Sequence, residues 1–166
     1  GLSKAYSMTG WRMGFSAAPV GGAKAMSSIQ SHTTSNANSI AQYASLIALT
    51  DSRGDEFLRT MQVTFDSRRK LIVGLIEKVP YASCNEPKGA FYVMMDVSGG
   101  FGKTCDGRVI NNSADFCDLL LEKALVAVVD GAAFGAPEYV RLSYAISEDD
   151  IRKGLERITG FMKGLK

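Results

Sequence analysis

Lys4 and Arg12 lie close together in the stretch Ser3-Lys4-Ala5-Tyr6-Ser7-Met8-Thr9-Gly10-Trp11-Arg12-Met13-Gly14-Phe15. Together they put an amine beside an anion clamp. Lysine amines become carbonyl-capturing nucleophiles when desolvation or nearby positive charge favours the neutral form. Arginine offers a planar fork of donors that matches a phosphate in two parallel hydrogen bonds. Gly10 and Gly14 remove side-chain bulk where backbone must approach a ligand, and Ser3 adds a hydroxyl next to the lysine. A single Ser-Lys or Gly-Trp-Arg has no such meaning, since most lysines are solvated surface charges.

A second arginine is set by alternation. In Tyr139-Val140-Arg141-Leu142-Ser143-Tyr144-Ala145 the apolar Val140, Leu142 and Tyr144 share one face of a strand, and Arg141 takes the other. If the apolar face covers a core, Arg141 looks outward and can grip a carboxylate. Spacing alone favours a plain surface or ion-paired arginine there. Other chemistries find little support. His32 is the only histidine, and it sits in a polar run. Cys84, Cys105 and Cys117 are odd in number and contain no Cys-x-x-Cys pair, which argues for reduced thiols, with no disulfide framework and no metal site. Gly102-Lys103-Thr104 fails as a phosphate loop because Val97 stands where the first glycine is required. Asn111-Asn112-Ser113 matches a glycosylation sequon without a secretory context.

The elements that must position these residues are read from periodicity. Residues 1–18 read as loop, turn and a short strand, Phe15 to Ala18, and Gly21-Gly22 punctuates. A short helix over 23–30, a polar loop over 31–39 and a helix over 39–50 follow. Leu58, Met61, Phe65, Ile72, Leu75, Ile76 and Val79 form one face of a long amphipathic helix over 55–79, stopped by Pro80. Residues 90–97 are strand-like and lead into a glycine-rich turn at 99–102. Ser113 is the expected cap of a helix to about Ala124. Strands follow at 126–129 and 139–145. Ser147 and Asp150 have capping-box spacing before a last helix striped with Ile151, Leu155, Ile158 and Met162. Residues 81–166 thus read as a compact α/β lobe. A content of 46% hydrophobic and 22% charged residues is that of a globular chain, and a net charge of +2 makes no case for nucleic acid or an anionic membrane surface. No apolar run approaches the roughly 20 residues a bilayer span needs.

The stretch around Lys4 resembles the cofactor-lysine segment of fold type I pyridoxal-phosphate-dependent aminotransferases (class I/II), Ser-Lys-x-(Phe/Tyr)-x-Met-Thr-Gly-(Trp/Tyr)-Arg-x-Gly, with the aspartate aminotransferases nearest. Residues 139–145 are similar to that family's (Tyr/Phe)-Val-Arg-Leu-Ser-(Tyr/Phe)-Ala segment. The resemblance implies that Lys4 is the Schiff-base lysine and proton shuttle, that Arg12 with Ser3 and Lys4 binds pyridoxal 5'-phosphate, and that Arg141 holds the substrate α-carboxylate. Gly89-Ala90-Phe91-Tyr92 resembles a strand flanking the substrate, although Tyr92 reads as a plain core aromatic. Val128 to Gly135 resembles the family's Val-x-Pro-Gly-x-x-Phe-Gly turn, with Asp130 in place of proline. Gly1 stands where many members have a phosphate-binding serine. Ser31 to Ser39 resembles the loop that reaches the partner subunit's site in family dimers, with Ser35 and Asn36 as its contacts and Ala37 where many members have proline.

The fold implied is α/β, the C-terminal part of a transferase of this family. Residues 1–54 would end the cofactor-binding large domain, and 55–166 would form the connecting helix and small domain. The activity implied is transfer of an amino group from an amino acid, aspartate or similar, to a 2-oxo acid, in a cytoplasmic homodimer. The aspartate facing the pyridine nitrogen and the ring-stacking residues fall upstream in the family, so the chain alone is expected to be inactive. A lyase on the same fold, or a non-catalytic α/β domain, are the alternatives.

Overall fold

The computed structural model describes all 166 residues, which form two units, Gly1–Val63 and Thr64–Lys166. The first unit is helical: α1 (Leu2–Ala5), a 3-10 turn (Thr9–Trp11), α2 (Val20–Thr33), α3 (Ser39–Thr50) and the first turns of α4 (Ser52–Ile76). Helix α3 keeps the expected bounds because Asn38 caps it, its Oδ1 accepting the Ala41 N–H at 3.0 Å. Gly54 is required by close approach, since a Cβ there would lie 2.3 Å from the carbonyl oxygen of Ala48.

Three expectations fail in this unit. Residues 15–18 are not a strand, and Phe15 is 73% exposed. Strand backbone needs a neighbour's N–H and C=O groups, and this unit contains no strand to supply them. Gly21-Gly22 does not break the chain, because both lie in the first turn of α2, where few intrahelical bonds depend on them. The far end of α2 also outruns its expected length. The polar residues Ser31, His32 and Thr33 remain helical, with the Ser31 and Thr33 hydroxyls donating back to the carbonyls of Ser28 and Ile29, each at 3.0 Å.

The second unit begins within α4. Its helical bonding ends at Ile76, where the chain tightens into 3-10 bonds from Lys78 N–H to Leu75 O and from Val79 N–H to Ile76 O. Val79 is thereby still delivered to the core, at 3% exposure. A four-stranded antiparallel sheet follows, in the order β1 (Ser83–Cys84), β2 (Tyr92–Asp96), β6 (Tyr139–Ser143), β5 (Val129–Asp130). A small hairpin, β3 (Thr104–Cys105) with β4 (Arg108–Val109), stands apart from it. Helices α5 (Ser113–Ala124) and α6 (Glu148–Lys163) share one core with the inner sheet face. Val93, Met95, Val140, Leu142 and Tyr144 meet Phe116, Leu120, Ile151, Ile158 and Met162 there, all buried. Phe116 packs edge-on against Phe161 at 5.5 Å between ring centroids.

Helix α6 opens as expected, with Ser147 Oγ accepting the Asp150 N–H at 3.1 Å. Helix α5 has the expected span but a different cap. Asn112 Oδ1 accepts the Asp115 N–H at 2.9 Å, which leaves Ser113 for another task. Its buried hydroxyl lies 2.5 Å from Asp130 Oδ1 and 2.7 Å from Pro137 O. That tie holds the turn after β5 against the start of α5. The strand expected at 126–129 pairs only at Val129 and Asp130, opposite Arg141 and Val140.

A Cβ on Gly131 would lie 2.2 Å from Tyr139 O and 2.3 Å from Ala136 O, so Gly131→Ala forces backbone apart. Urea unfolding should show a loss of about 1–3 kcal/mol, the cost of overpacking. The Ser113 hydroxyl, then the Ala132 N–H, hold the Asp130 carboxyl below its ordinary value. A carboxyl depressed in the folded state contributes stability above its unfolded value of about 3.9, and that stability is lost as pH falls through the folded value. Asp130→Asn should therefore reduce stability at neutral pH and flatten the acid limb of a stability–pH curve below about pH 4.

Candidate active site

In the first unit Ser3 and Lys4 lie on α1, with Ser3 half-buried and Lys4 exposed. Leu2, beside them, is 2% exposed and anchors the helix. Its N–H donates to Met13 O at 3.4 Å, so the lysine helix is tied to the residue after Arg12. The chain between is reversed by two non-glycine residues in the left-handed region, Ser7 (φ 54°) and Arg12 (φ 54°, ψ 42°). Such backbone costs about 1 kcal/mol or more per residue and gathers at functional sites. Between them Met8 is buried and accepts the Trp11 N–H at 3.3 Å, closing the 3-10 turn. The Arg12 guanidinium, exposed, donates through Nη1 to Thr9 O at 3.1 Å. That bond turns the side chain back over the turn and leaves further N–H donors available.

Lys4 and Arg12 are thus brought onto neighbouring segments of one unit. Their donor set, an amine for an aldehyde and a guanidinium for a phosphate, fits pyridoxal phosphate. Gly10 has open space where a side chain would stand. A separate groove of about 390 Å³ lies beside Tyr6, Met8, Ile47 and Phe57, and neither Lys4 nor Arg12 lines it. Its Asp51 is held down to about 2 by the Arg53 guanidinium, 2.8 Å away. Ser35 (φ 64°) and Asn36 occupy the turn between α2 and α3, where the Asn36 N–H donates to Thr34 O.

In the second unit Arg141 is where alternation puts it. Its neighbours Val140 and Leu142 face the core, and Arg141 projects half-buried from the opposite face of β6. Strand β6 is paired on both sides, with Met94 of β2 and Val129 of β5 opposite Arg141. The guanidinium carbon lies 4.3 Å from the Tyr92 ring centroid and 4.2 Å from that of Phe134. No carboxylate forms an ion pair with it. Tyr92 is therefore not a core aromatic. It shares the outer face of β2 with Met94 and Asp96, while Val93 and Met95 face inward. Pleat parity carries that signal, because the alternate residues Val93, Met95 and Val97 are all apolar and Asp96 marks the other face. Phe91 instead packs against the core near Phe65, at 6.3 Å between centroids.

Phe134 is delivered by the turn that resembles Val-x-Pro-Gly-x-x-Phe-Gly. Asp130 replaces the proline by capping it, its Oδ1 accepting the Ala132 N–H at 3.0 Å, and Gly135 (φ 73°) closes it. The cysteines are all free, and burial, then the charges of Asp130 and Asp118, push Cys117 up to about 11. No group of histidine, cysteine and acidic side chains is arranged to hold a metal ion.

Comparison with known proteins bears on the whole chain. An aspartate/prephenate aminotransferase of Cereibacter sphaeroides is 48% identical over 166 residues, covering 99% of this chain and 41% of that protein. An aspartate aminotransferase of Rhizobium meliloti is 44% identical over 95% of this chain and 38% of its own length. The crystal structure of a Rhizobium meliloti aspartate aminotransferase matches with a TM-score of 0.95 at 42% identity, over 100% of this chain and 41% of that one. An aromatic aminotransferase of Pyrococcus horikoshii matches with a TM-score of 0.87 at 34% identity, over 98% of this chain and 42% of that one. The chain spans about two fifths of the length of the curated relatives it matches. Residues 1–158 match the family model for aminotransferase class I and II, and with its α/β fold the chain belongs to that family.

Proposed function

We propose that this chain is the C-terminal part of a pyridoxal-phosphate-dependent aminotransferase that moves an amino group from an amino acid, aspartate or one like it, to a 2-oxo acid. The observation that carries the reading is the pairing of Lys4 and Arg12 on adjoining segments of one unit, in a chain matched to the family over residues 1–158. The relatives compared bear aminotransferase names, so the lyase and non-catalytic readings are not favoured. Residues 1–54 then end the large domain and 55–166 make the connecting helix and small domain.

In this reading Arg12 binds the cofactor phosphate, Ser3 adds a hydroxyl beside it, and Lys4 Nζ holds the cofactor aldehyde carbon. When bound, pyridoxal phosphate supplies an electron-withdrawing ring that takes up charge as the substrate Cα–H bond breaks. Once a substrate amine has displaced it from that carbon, Lys4 Nζ would be the base that accepts the Cα proton and returns it at the same cofactor carbon, C4′. Arg141 grips the α-carboxylate in its donor fork and fixes the substrate's orientation. Ile29, Ile40 and Tyr43, all more than 60% exposed on α2 and α3, support further protein covering the first unit. We assign that cover to the upstream large domain and to a second subunit of a homodimer. Three free thiols support a reducing, cytoplasmic location.

The full-length protein with added pyridoxal phosphate should show a visible absorbance band that borohydride bleaches and that Lys4→Ala abolishes. Amino transfer should fall by about 10³-fold or more in the same variant. The 166-residue chain alone should transfer no amino group. A band that persists unchanged in Lys4→Ala removes the assignment.

A further inference from the structure

The setting of Arg141 raises a question that its role as a carboxylate clamp leaves open: what aims it. A guanidinium on a strand has four rotatable side-chain bonds, and a carboxylate can fix it by pairing with its donor fork. Here no ion pair does so. The side chain instead has one aromatic ring against it from each side of β6. Tyr92 is the diagonal neighbour on β2, two residues from Met94, the residue directly opposite Arg141. Phe134 comes from the β5 side, beyond Val129, which is directly opposite Arg141 on that strand.

Both rings are themselves held in place. Tyr92 lies within the β2–β6 ladder, and its ring is 4.4 Å from that of Phe91, which packs on the core. Phe134 ends a turn fixed by the Asp130 cap, by the Ser113 hydroxyl and by the close approach of Gly131 to Tyr139 O. We propose that Tyr92 and Phe134 are positioning residues that fix the Arg141 guanidinium by its π faces and leave its in-plane N–H edge to a carboxylate. This rests on the reading of Arg141 as the substrate-carboxylate clamp. An acidic neighbour would compete for the same N–H donors, whereas a ring occupies only the face. The arrangement gives orientation while keeping the donors unspent. The rings also keep water from the faces of the cation, which strengthens the in-plane bonds.

The test uses the full-length holoenzyme and propionate, a carboxylate with no second charged group, with binding measured by calorimetry. Tyr92→Leu and Phe134→Leu should each weaken propionate by about tenfold and raise KM for amino and oxo acids in parallel, with kcat changed less. Phe134 is 50% exposed and Tyr92 half-buried, so neither truncation empties the core. Methionine at either position keeps volume without a ring and should behave like leucine. Tyr92→Phe and Phe134→Tyr should restore affinity to within about twofold, which a loss of general packing would not predict. In an Arg141→Ala background, the leucine changes should have no further effect on propionate. If Arg141→Ala itself leaves propionate binding intact, the clamp reading fails and this inference with it. If Arg141→Ala abolishes binding while both leucine variants retain it, the clamp stands and the positioning role is wrong.

Discussion

The pleat of β6 is the constraint on which the second unit depends. Its odd and even residues serve opposite masters: Val140 and Leu142, with Tyr144 just beyond, are buried against α5 and α6, and Arg141 is turned to the other face. Because the strand is paired on both sides, a slip of one residue would send every apolar side chain outward and carry a guanidinium into the core. Burying that charge without a partner would cost several kcal/mol. Core packing therefore fixes the face and register from which the arginine projects, and no separate device is needed to aim its Cα. Tyr144 adds a local tie, its hydroxyl donating to Ala90 O at 3.2 Å and its N–H to Phe91 O at 2.9 Å.

The first unit solves its positioning problem differently. It has few buried side chains, chiefly Leu2, Met8 and Ala41, and no sheet. Lys4 and Arg12 are set by backbone conformation: two left-handed residues, Ser7 and Arg12, reverse the chain, and the Leu2–Met13 hydrogen bond joins its ends. Strain at two non-glycine positions persists only where surrounding structure overdetermines it. In one unit packing places the charge, and in the other local backbone geometry does.

How much of this was legible in the residues depends on whether the governing interaction was local. The bounds of α3 and α5, the Ser147 cap of α6 and the outward face of Arg141 follow from periodicity and near neighbours, and these readings hold. The strand expected at 15–18 failed because a strand depends on a partner, which a run of residues cannot reveal. Gly21-Gly22 misled because glycine weakens a helix interior far more than its first turn. Ser113 was expected to cap α5, yet Asn112 does so and Ser113 reaches Asp130, 17 positions on, a contact that only the tertiary fold creates. Tyr92 was readable in principle, since parity with Met94 and Asp96 puts it on the outer face, but aromaticity suggested burial. Phe134 as the second ring against Arg141 needed the turn geometry that Asp130 and Gly131 supply.

The measurement that bears most directly on the account is peptide mapping of the full-length protein after pyridoxal phosphate is fixed by borohydride reduction. The pyridoxyl group should fall on Lys4, in the peptide from the α1 helix, with the other lysines of the chain unmodified. A pyridoxyl group on another lysine, with Lys4 unmodified, would contradict it.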